Sequence, residues 1–295
     1  MEIFVSGGSG YVGQPVVEAL LASGHRVRAL VRPGGRPLAA SGWLEPIIGD
    51  LADSDALARG VRGADAVVHL VGIIRERPAA GVTFAAIHAA GTRRLLQAAS
   101  AAGVRRWVHM SALGVGSVSG SAYFETKAQA EAAVRLSGLD WTIFRPSVVF
   151  GPGGPGPQFL TEIRDQLLRL PLHPMIDGGG QKLQPVAVQT VAQAFTRALD
   201  TPATVGVTYD LAGPDVVTFR QLVAALASHL GRPFRPVPVP SLLVQALLPL
   251  LDRKGSFPLT RDQLIMLRAG STSDNWQDAY QVLALKPYPF SVAGV

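Results

Sequence analysis

The strongest constraint on this chain lies at its beginning. An apolar run, Ile3-Phe4-Val5-Ser6, leads directly into Gly7-Gly8-Ser9-Gly10-Tyr11-Val12-Gly13, and an amphipathic helical pattern starts immediately behind it. Glycines at Gly7, Gly10 and Gly13 suit a strand–turn–helix unit, and each has its own task. Gly7 permits the tight turn, Gly10 lets the backbone approach a diphosphate, and Gly13 lets the helix pack closely on the strand. Free amides and the positive dipole end at the helix start then receive the phosphates. Ser9, Tyr11 and Val12 complete the loop and are grouped with the glycines as its cofactor-binding segment. Pro15 falls in the first helical turn, where a missing N–H is harmless. A glycine triplet alone is weak evidence; one placed between a leading strand and an amphipathic helix predicts a dinucleotide site.

The next 140 or so residues repeat the rhythm. Short apolar runs near Arg26-Val31, Pro46-Ile48, Ala66-Val71, Trp107-Met110 and Trp141-Phe144 alternate with helical patterns at Tyr11-Ser23, Ala56-Arg62, Thr83-Ala102 and Ala122-Ser137. Strands that read as continuous apolar runs are covered on both faces, which predicts an α/β fold: a Rossmann, doubly wound parallel sheet. After Phe150 the run Gly151-Pro152-Gly153-Gly154-Pro155-Gly156-Pro157 breaks regular structure and marks a boundary. The expected organisation is a nucleotide domain over residues 1–150, to which 183–212 returns, and a smaller C-terminal substrate lobe from 151–182 and 213–295. Helices are expected near Phe159-Leu170 and Phe219-Leu230, with strands in Leu183-Val188 and near Thr208-Leu211. A chain of 295 residues, 48% hydrophobic and 16% charged, is long enough for both units.

Position and charge at the strand ends refine the cofactor. In NAD-binding units an acidic residue about 20 positions beyond the glycines grips the ribose 2′-hydroxyl. Here the second strand ends Ala29-Leu30-Val31-Arg32-Pro33. Arg32 can pair with a 2′-phosphate, which favours NADP(H) over NAD(H); the plainer reading is a solvated arginine at a strand end. Arg36 is a second, weaker candidate. Gly49-Asp50-Leu51 ends the third strand, where Asp50 can hydrogen-bond an adenine or simply cap the following helix.

Tyr123 and Lys127 stand four apart at the start of a helical pattern and so share a face. A nearby ammonium favours the phenolate, and the expectation is a tyrosine pKa drawn down from about 10 so that the phenol can exchange a proton with a substrate oxygen. A surface pair with no such role has the same spacing.

At these residues the chain resembles the extended and atypical short-chain dehydrogenases/reductases. The resemblance runs through Gly7-x-x-Gly10-x-x-Gly13, Gly49-Asp50-Leu51, His109-Met110-Ser111-Ala112-Leu113-Gly114, Tyr123-x-x-x-Lys127 and Phe144-Arg145-Pro146-Ser147-Val148-Val149-Phe150-Gly151-Pro152. Gln184-Pro185-Val186-Ala187-Val188 and Phe257-Pro258-Leu259-Thr260-Arg261-Asp262-Gln263 are similar to the subgroup holding the NADPH-binding accessory subunit of mitochondrial complex I and its bacterial relatives. The resemblance implies Tyr123 as acid/base, Lys127 on the ribose hydroxyls and tuning Tyr123, and Ser111 polarising a substrate oxygen, with Ser117, Ser119 and Ser121 as competitors for that last role. It also brings Val71, Gly72 and Pro146 to the cofactor. One departure stands out: many extended members carry asparagine three residues before the helix Gly-Thr, where this chain has His88 before Gly91-Thr92.

Other chemistry is disfavoured by what the residues omit. Without cysteine the chain has no disulfide, thiolate metal site or cysteine nucleophile, and the cytoplasm is the default compartment. The start, Met1-Glu2-Ile3-Phe4-Val5, lacks the pattern of a signal peptide. Six histidines show no metal-ligand spacing, so no metal is expected, and His69 and His109 read as satisfied core residues. Neither Gly-x-Ser-x-Gly nor a Gly-Lys-Ser/Thr phosphate loop occurs. The net charge of +6 is carried by scattered basic residues in runs of at most two, which argues against nucleic acid as a partner. Leu242 to Leu251 is too short to span a bilayer and is interrupted by Gln245 and Pro249. The segment reads as lobe core or subunit contact, or else as a lipophilic-ligand or peripheral membrane contact, the latter without a flanking basic cluster to support it.

Two functions remain open: an NADP(H)-dependent oxidoreductase or epimerase/dehydratase-like enzyme on a small, possibly apolar, molecule, or a non-catalytic NADPH-binding accessory or redox-sensing subunit of a respiratory or quinone-related assembly. Neither the substrate nor the oligomeric state is readable from the residues.

Overall fold

Burial of Ile3, Phe4, Val5 and Ser6 on both sides of one short strand puts β1 (Glu2–Ser6) in the middle of the sheet. The computed structural model describes residues 1–35, 38, 42–251 and 259–293, the side chains of 249–251 excepted; Arg36 and Phe257-Pro258 lie outside them. Around β1 are arranged β2 (Arg26–Val31), β3 (Leu44–Ile48), β4 (Ala66–His69), β5 (Arg106–Met110), β6 (Asp140–Pro146) and β11 (Val207–Leu211), in the order β11-β6-β5-β4-β1-β2-β3. Every pairing in this sheet is parallel. This is a doubly wound Rossmann sheet, and its order reverses beside β1, where ligands of such sheets bind outside the strands' carboxyl ends.

Alternation along the strands divides the core in two. Ile3, Val5, Val68 and Phe144 face α1 (Gly13–Ala22) and α6 (Val188–Leu199), where Val16, Leu20, Val191 and Phe195 complete one layer. Phe4, Val67, Trp107 and Ile143 face α2 (Ser54–Val61), α3 (Gly91–Ala101) and α4 (Ala122–Arg135). A third core, with Phe150, Leu160, Met175, Leu222 and Leu226, belongs to the later part of the chain. It is built on three two-stranded ladders: β7 (Val149–Phe150) with β10 (Val186–Ala187), β8 (His173–Ile176) with β13 (Pro236–Val239), and β9 (Lys182–Leu183) with β12 (Val217–Thr218). The short α5 (Phe159–Glu162), then α7 (Phe219–His229), α8 (Ser241–Leu251) and α9 (Arg261–Ala269), surround it, while α10 (Gln277–Val282) returns Ala279 and Tyr280 to the first layer.

Some expected elements are divided. The pattern over Thr83-Ala102 becomes a π-helical stretch, Ala85–Ala90, followed by α3. At the junction a Cβ on Gly91 would come within 2.7 Å of the Leu51 side chain, so the two elements pack at backbone distance. The apolar run Leu183-Val188 splits into β9 and β10, because Pro185 has no N–H and Gln184 turns its side chain to the Gly213 carbonyl and the Ser273 amide. The pattern over Phe159-Leu170 is α-helical only to Glu162, then π-helical over Ile163–Leu167.

The glycine loop supplies the tightest contact between β1 and α1. A Cβ on Gly13 would lie 2.0 Å from the Gly7 carbonyl oxygen and 2.8 Å from the Gly8 backbone. Gly13→Ala is therefore expected to destabilise the fold by about 1–3 kcal/mol, read as a lower urea midpoint, and to weaken nucleotide binding more than the stability loss alone accounts for. An alanine variant that binds nucleotide normally would contradict this packing.

Candidate functional site

The loop between β1 and α1 leaves free amides and open space at a helix start. Gly7 takes φ +84°, and a Cβ there would press on the Val71 amide at 3.0 Å. The Gly10 amide donates to the Gly7 carbonyl at 3.1 Å and Gln14 begins the helical bonding at Gly10, while the amides of Tyr11 and Val12 have no acceptor among the described residues. No acidic residue occupies the first turn of α1. Unpaired amides at a helix start, glycines where a side chain would block approach, and no opposing charge fit a dinucleotide diphosphate.

Arg32 is exposed just past β2, in a turn closed by the Gly35 amide on the Arg32 carbonyl at 2.8 Å. Asp50 is exposed, and its carboxylate accepts the Ala52 amide at 2.7 Å; the cap of α2 is Asp53, not Asp50, through the Ala56 amide at 2.9 Å. Leu51 is buried against Gly91, and its carbonyl accepts from Arg94. Val71 and Gly72 follow β4, and Pro146 ends β6 with its carbonyl on the Leu113 amide at 3.0 Å.

Lys127 lies beneath this edge. It is 3% exposed, its ammonium donates to the Met110 carbonyl at 2.9 Å, and a Cβ on Gly72 would sit 3.2 Å from Nζ. Burial pushes its pKa down to about 8 against a partial upward pull from Glu131. Burial and the Lys127 charge hold His88 neutral, with a pKa of about 2. His88 Nε2 accepts the Ile73 amide at 3.0 Å, which leaves Nδ1–H to donate to Thr126 Oγ1 at 3.1 Å. The imidazole thus ties the segment after Gly72 to the helical turn that carries Tyr123 and Lys127. Its ring stacks on Phe84 and meets the Tyr123 ring edge-on, centroids 5.4 Å apart in both cases.

Tyr123 departs from expectation. The lysine does not draw its phenol towards neutrality; burial within Phe84, Ala112, Val115 and Phe124 pushes the pKa up to about 12. The phenol is a firmly held proton in this environment, a donor and not a phenolate.

Ser111 has a different occupation from the expected one. Its hydroxyl donates to buried Glu131, which also receives a bidentate Arg145 at 2.8 and 2.7 Å and Arg135 at 2.8 Å. Burial pushes the Glu131 carboxyl up, yet the Arg145 and Ser111 hydrogen bonds and the two guanidinium groups outweigh it and hold the pKa below the usual range. Among the competitors, Ser117 donates to the Gly114 carbonyl and Ser119 is exposed. Ser121 caps α4. His69 is satisfied by Ser6 and Thr92, whereas both ring nitrogens of buried His109 lack a partner among the described residues, so only the first reads as a satisfied core histidine.

Sequence reasoning missed two contacts here. The Gly151-Pro157 segment lies on the glycine loop: Tyr11 Oη donates to the Gly151 carbonyl and the Gly154 amide to the Tyr11 carbonyl, both at 2.9 Å. A Cβ on Gly154 would fall 2.4 Å from the Gly10 carbonyl oxygen, which explains the glycine there. Asp262, at the start of α9, accepts from Ser121 Oγ at 2.6 Å and from the Tyr123 amide at 3.2 Å. The only signal for it in the sequence was the Thr260-Arg261-Asp262-Gln263 string, whose Thr260 and Gln263 form a capping box.

Residues 7–167 match the NAD(P)H-binding family model. The chain belongs to the NAD(P)H-binding family. Its fold and relatives are those of the extended short-chain dehydrogenases/reductases. It is 29% identical over 274 residues to NADH dehydrogenase [ubiquinone] 1 alpha subcomplex subunit 9, mitochondrial, of Arabidopsis thaliana, covering 89% of this chain and 67% of that one. It is 28% identical over 298 residues to a 2-alkyl-3-oxoalkanoate reductase of Stenotrophomonas maltophilia, covering 88% and 87%. In eight of its curated relatives the matched share of their own length runs from 47% to 87%. A dTDP-glucose 4,6-dehydratase from Streptomyces venezuelae, solved with NAD bound, superposes with a TM-score of 0.74 at 27% identity over 99% of this chain and 94% of that one.

The Ser111 contact yields a test. Ser111→Ala removes a hydroxyl donor from a buried carboxylate and is expected to cost about 1–3 kcal/mol in urea unfolding. A variant of unchanged stability but greatly reduced turnover would instead return Ser111 to a role in catalysis.

Proposed function

We propose that the chain is an NADP(H)-dependent oxidoreductase acting on a small carbonyl or hydroxyl compound. The observation that carries this reading is the Tyr123–Lys127 pair, buried at the start of α4 beside Gly72 and fixed from one side by His88 and from the other by Asp262. When bound, the nicotinamide supplies or takes up hydride. The amides of the Gly7–Gly13 loop hold the diphosphate, and Arg32 meets a 2′-phosphate. Lys127 would hold the ribose hydroxyls and supply a positive charge beside them. Tyr123, with its proton firmly held, donates to a carbonyl oxygen as negative charge develops there. Apolar neighbours of Tyr123, among them Phe84, Val115 and the partly buried Ile73, Val118 and Met266, keep water away from that proton.

A second reading has its own support. Ser111 is committed to Glu131, His88 stands where many extended members have asparagine, and the Arabidopsis relative is a subunit of a respiratory complex. In that reading NADPH is a retained ligand and the chain an accessory or redox-sensing subunit.

Tyr123→Phe separates the two. It is expected to lower turnover with a carbonyl substrate by about 100-fold or more while leaving the NADPH dissociation constant within about twofold. In the wild type, kcat/KM for carbonyl reduction should be level at lower pH and fall as pH rises through about 8, because the free protein loses the Lys127 ammonium there. NADPH that copurifies, does not exchange and is not oxidised by any carbonyl or quinone tested would favour the accessory role.

Cofactor choice is tested at the tip of β2. Arg32→Glu should weaken NADPH binding by about tenfold or more with little loss for NADH, since only the 2′-phosphate loses a partner and gains a like charge. Equal weakening of both nucleotides would remove Arg32 from this role.

A further inference from the structure

Six of the thirteen large hydrophobics exposed among the described residues come from three neighbouring stretches of the later part of the chain. Among the described residues, large hydrophobics at the surface include Leu170, Leu172, Val237, Leu242, Leu243 and Leu247. These come from segments far apart in sequence that β8 and β13 bring together: His173 pairs with Pro236, its amide donates to the Arg235 carbonyl, and the Arg235 amide donates to His173 Nδ1. One residue beyond β13 begins α8, whose Ser241 amide is anchored on the Asp177 carboxylate at 2.8 Å. The helix carries no charged residue from Ser241 to Leu251. Val244 and Leu248 pack with Ile176, Leu259, Leu264 and Leu267 on the inner side. Leu242, Leu243 and Leu247 lie on the opposite face, 75%, 51% and 40% exposed. An apolar face of this kind on an otherwise anchored helix marks a contact surface.

The charge around it identifies the contact. Along the sequence the arginines look scattered, but the fold gathers them: Asp165 is paired with Arg164 and Arg169 and also lies within the field of Arg232, whose guanidinium donates to the Arg164 carbonyl. A single carboxylate therefore faces three guanidinium groups, and exposed Arg235 stands three residues beyond Arg232, at the entry to β13. The arginines stand at the entry to the ladder, next in sequence to Leu170 and Leu172, and the α8 leucines follow its exit; an apolar surface with an excess of arginine matches the acyl boundary and headgroups of an anionic bilayer. A second copy of the chain is a poor occupant, because a two-fold contact through this patch would set the arginine cluster close to its own image. The helix is too short to cross a bilayer, and among the described residues no helix is long and apolar enough to do so. The contact is one in which the helix lies on the surface.

We propose that the outer face of α8, with the β8–β13 ladder and the arginines of residues 164–169 and 232–235, docks the protein on anionic lipid membranes. Leu242, Leu243 and Leu247 enter the headgroup–acyl boundary while the guanidinium groups meet lipid phosphates. The proposal does not depend on whether the chain is an enzyme.

Cosedimentation of the full chain with vesicles of phosphatidylcholine alone, or with about 30% phosphatidylglycerol, tests it. The expected result is binding at least about tenfold tighter to the anionic vesicles, weakened by high salt, as screened lipid–arginine contacts require. The double variant Leu242→Glu/Leu243→Glu should lose at least about tenfold in vesicle binding, and Arg232→Glu/Arg235→Glu should lose the preference for anionic lipid. Leu136→Glu, at a residue 87% exposed that caps the C-terminal end of α4, should change nothing. Should the leucine variant not fold, hydrogen exchange on the wild type replaces it: amides of residues 237–248 become protected on anionic vesicles. Failure to bind anionic vesicles, binding that the leucine variant retains, absence of protection over 237–248, or a dimer that the leucine variant converts to monomer each overturns the proposal.

Discussion

A single desolvated ammonium organises the end of this sheet. Lys127 is enclosed beneath Gly72, where a Cβ would stand 3.2 Å from its Nζ, and among the described residues its ammonium donates to the Met110 carbonyl. A charge so placed has to be tolerated by everything near it. His69 and His88 both lie within its field and are held neutral by burial and by that charge, with pKa values of about 3 and 2. A second full positive charge there would have no compensating partner, so the imidazoles act only as neutral donors and acceptors. That is why His88 can serve as a rigid link between Ile73 and Thr126 without titrating across the physiological range. Glu131, one turn along the same helix and itself bound by two arginines and a serine, pulls the ammonium's pKa up against its burial.

The features readable in the sequence are those set by local sterics and by periodicity. The glycine loop was legible because a residue at Gly13 other than glycine would collide with the Gly7 carbonyl, and the parallel sheet because strands covered on both sides must be apolar throughout. The π-helical stretch at Ala85–Ala90 was not legible, since it leaves the apolar pattern helical. Ser111 could be placed at a strand end but its partner could not, because Glu131 lies on a helix 20 positions away and is paired through the packing of α4 on β5 and β6. The phenol of Tyr123 follows the same logic: spacing puts it near a lysine, while its pKa is set by the apolar side chains that tertiary packing brings around it. Arg232 likewise joins the local Arg164–Asp165–Arg169 group only through the fold that pairs β8 with β13.

The later part of the chain is more than a cover for the sheet. Two of its segments make polar contacts with the candidate site, and they do so at opposite sides of it. Gly151-Pro157 is fastened to the glycine loop through Tyr11, whose phenol burial keeps protonated and therefore a donor. Asp262 reaches the first turn of α4, where a carboxylate is favoured by the unpaired amides of the helix start and binds both the cap residue and the Tyr123 amide. Met266, one turn further along α9, packs against the cluster around Tyr123. The same helix turns Leu264 and Leu267 towards Val244 and Leu248 of α8. α9 thus packs on α8 with one side and on the cluster around Tyr123 with another. The glycine loop, the Tyr123 ring and the outer helix are each contacted by the later part of the chain, so its packing fixes their placement together.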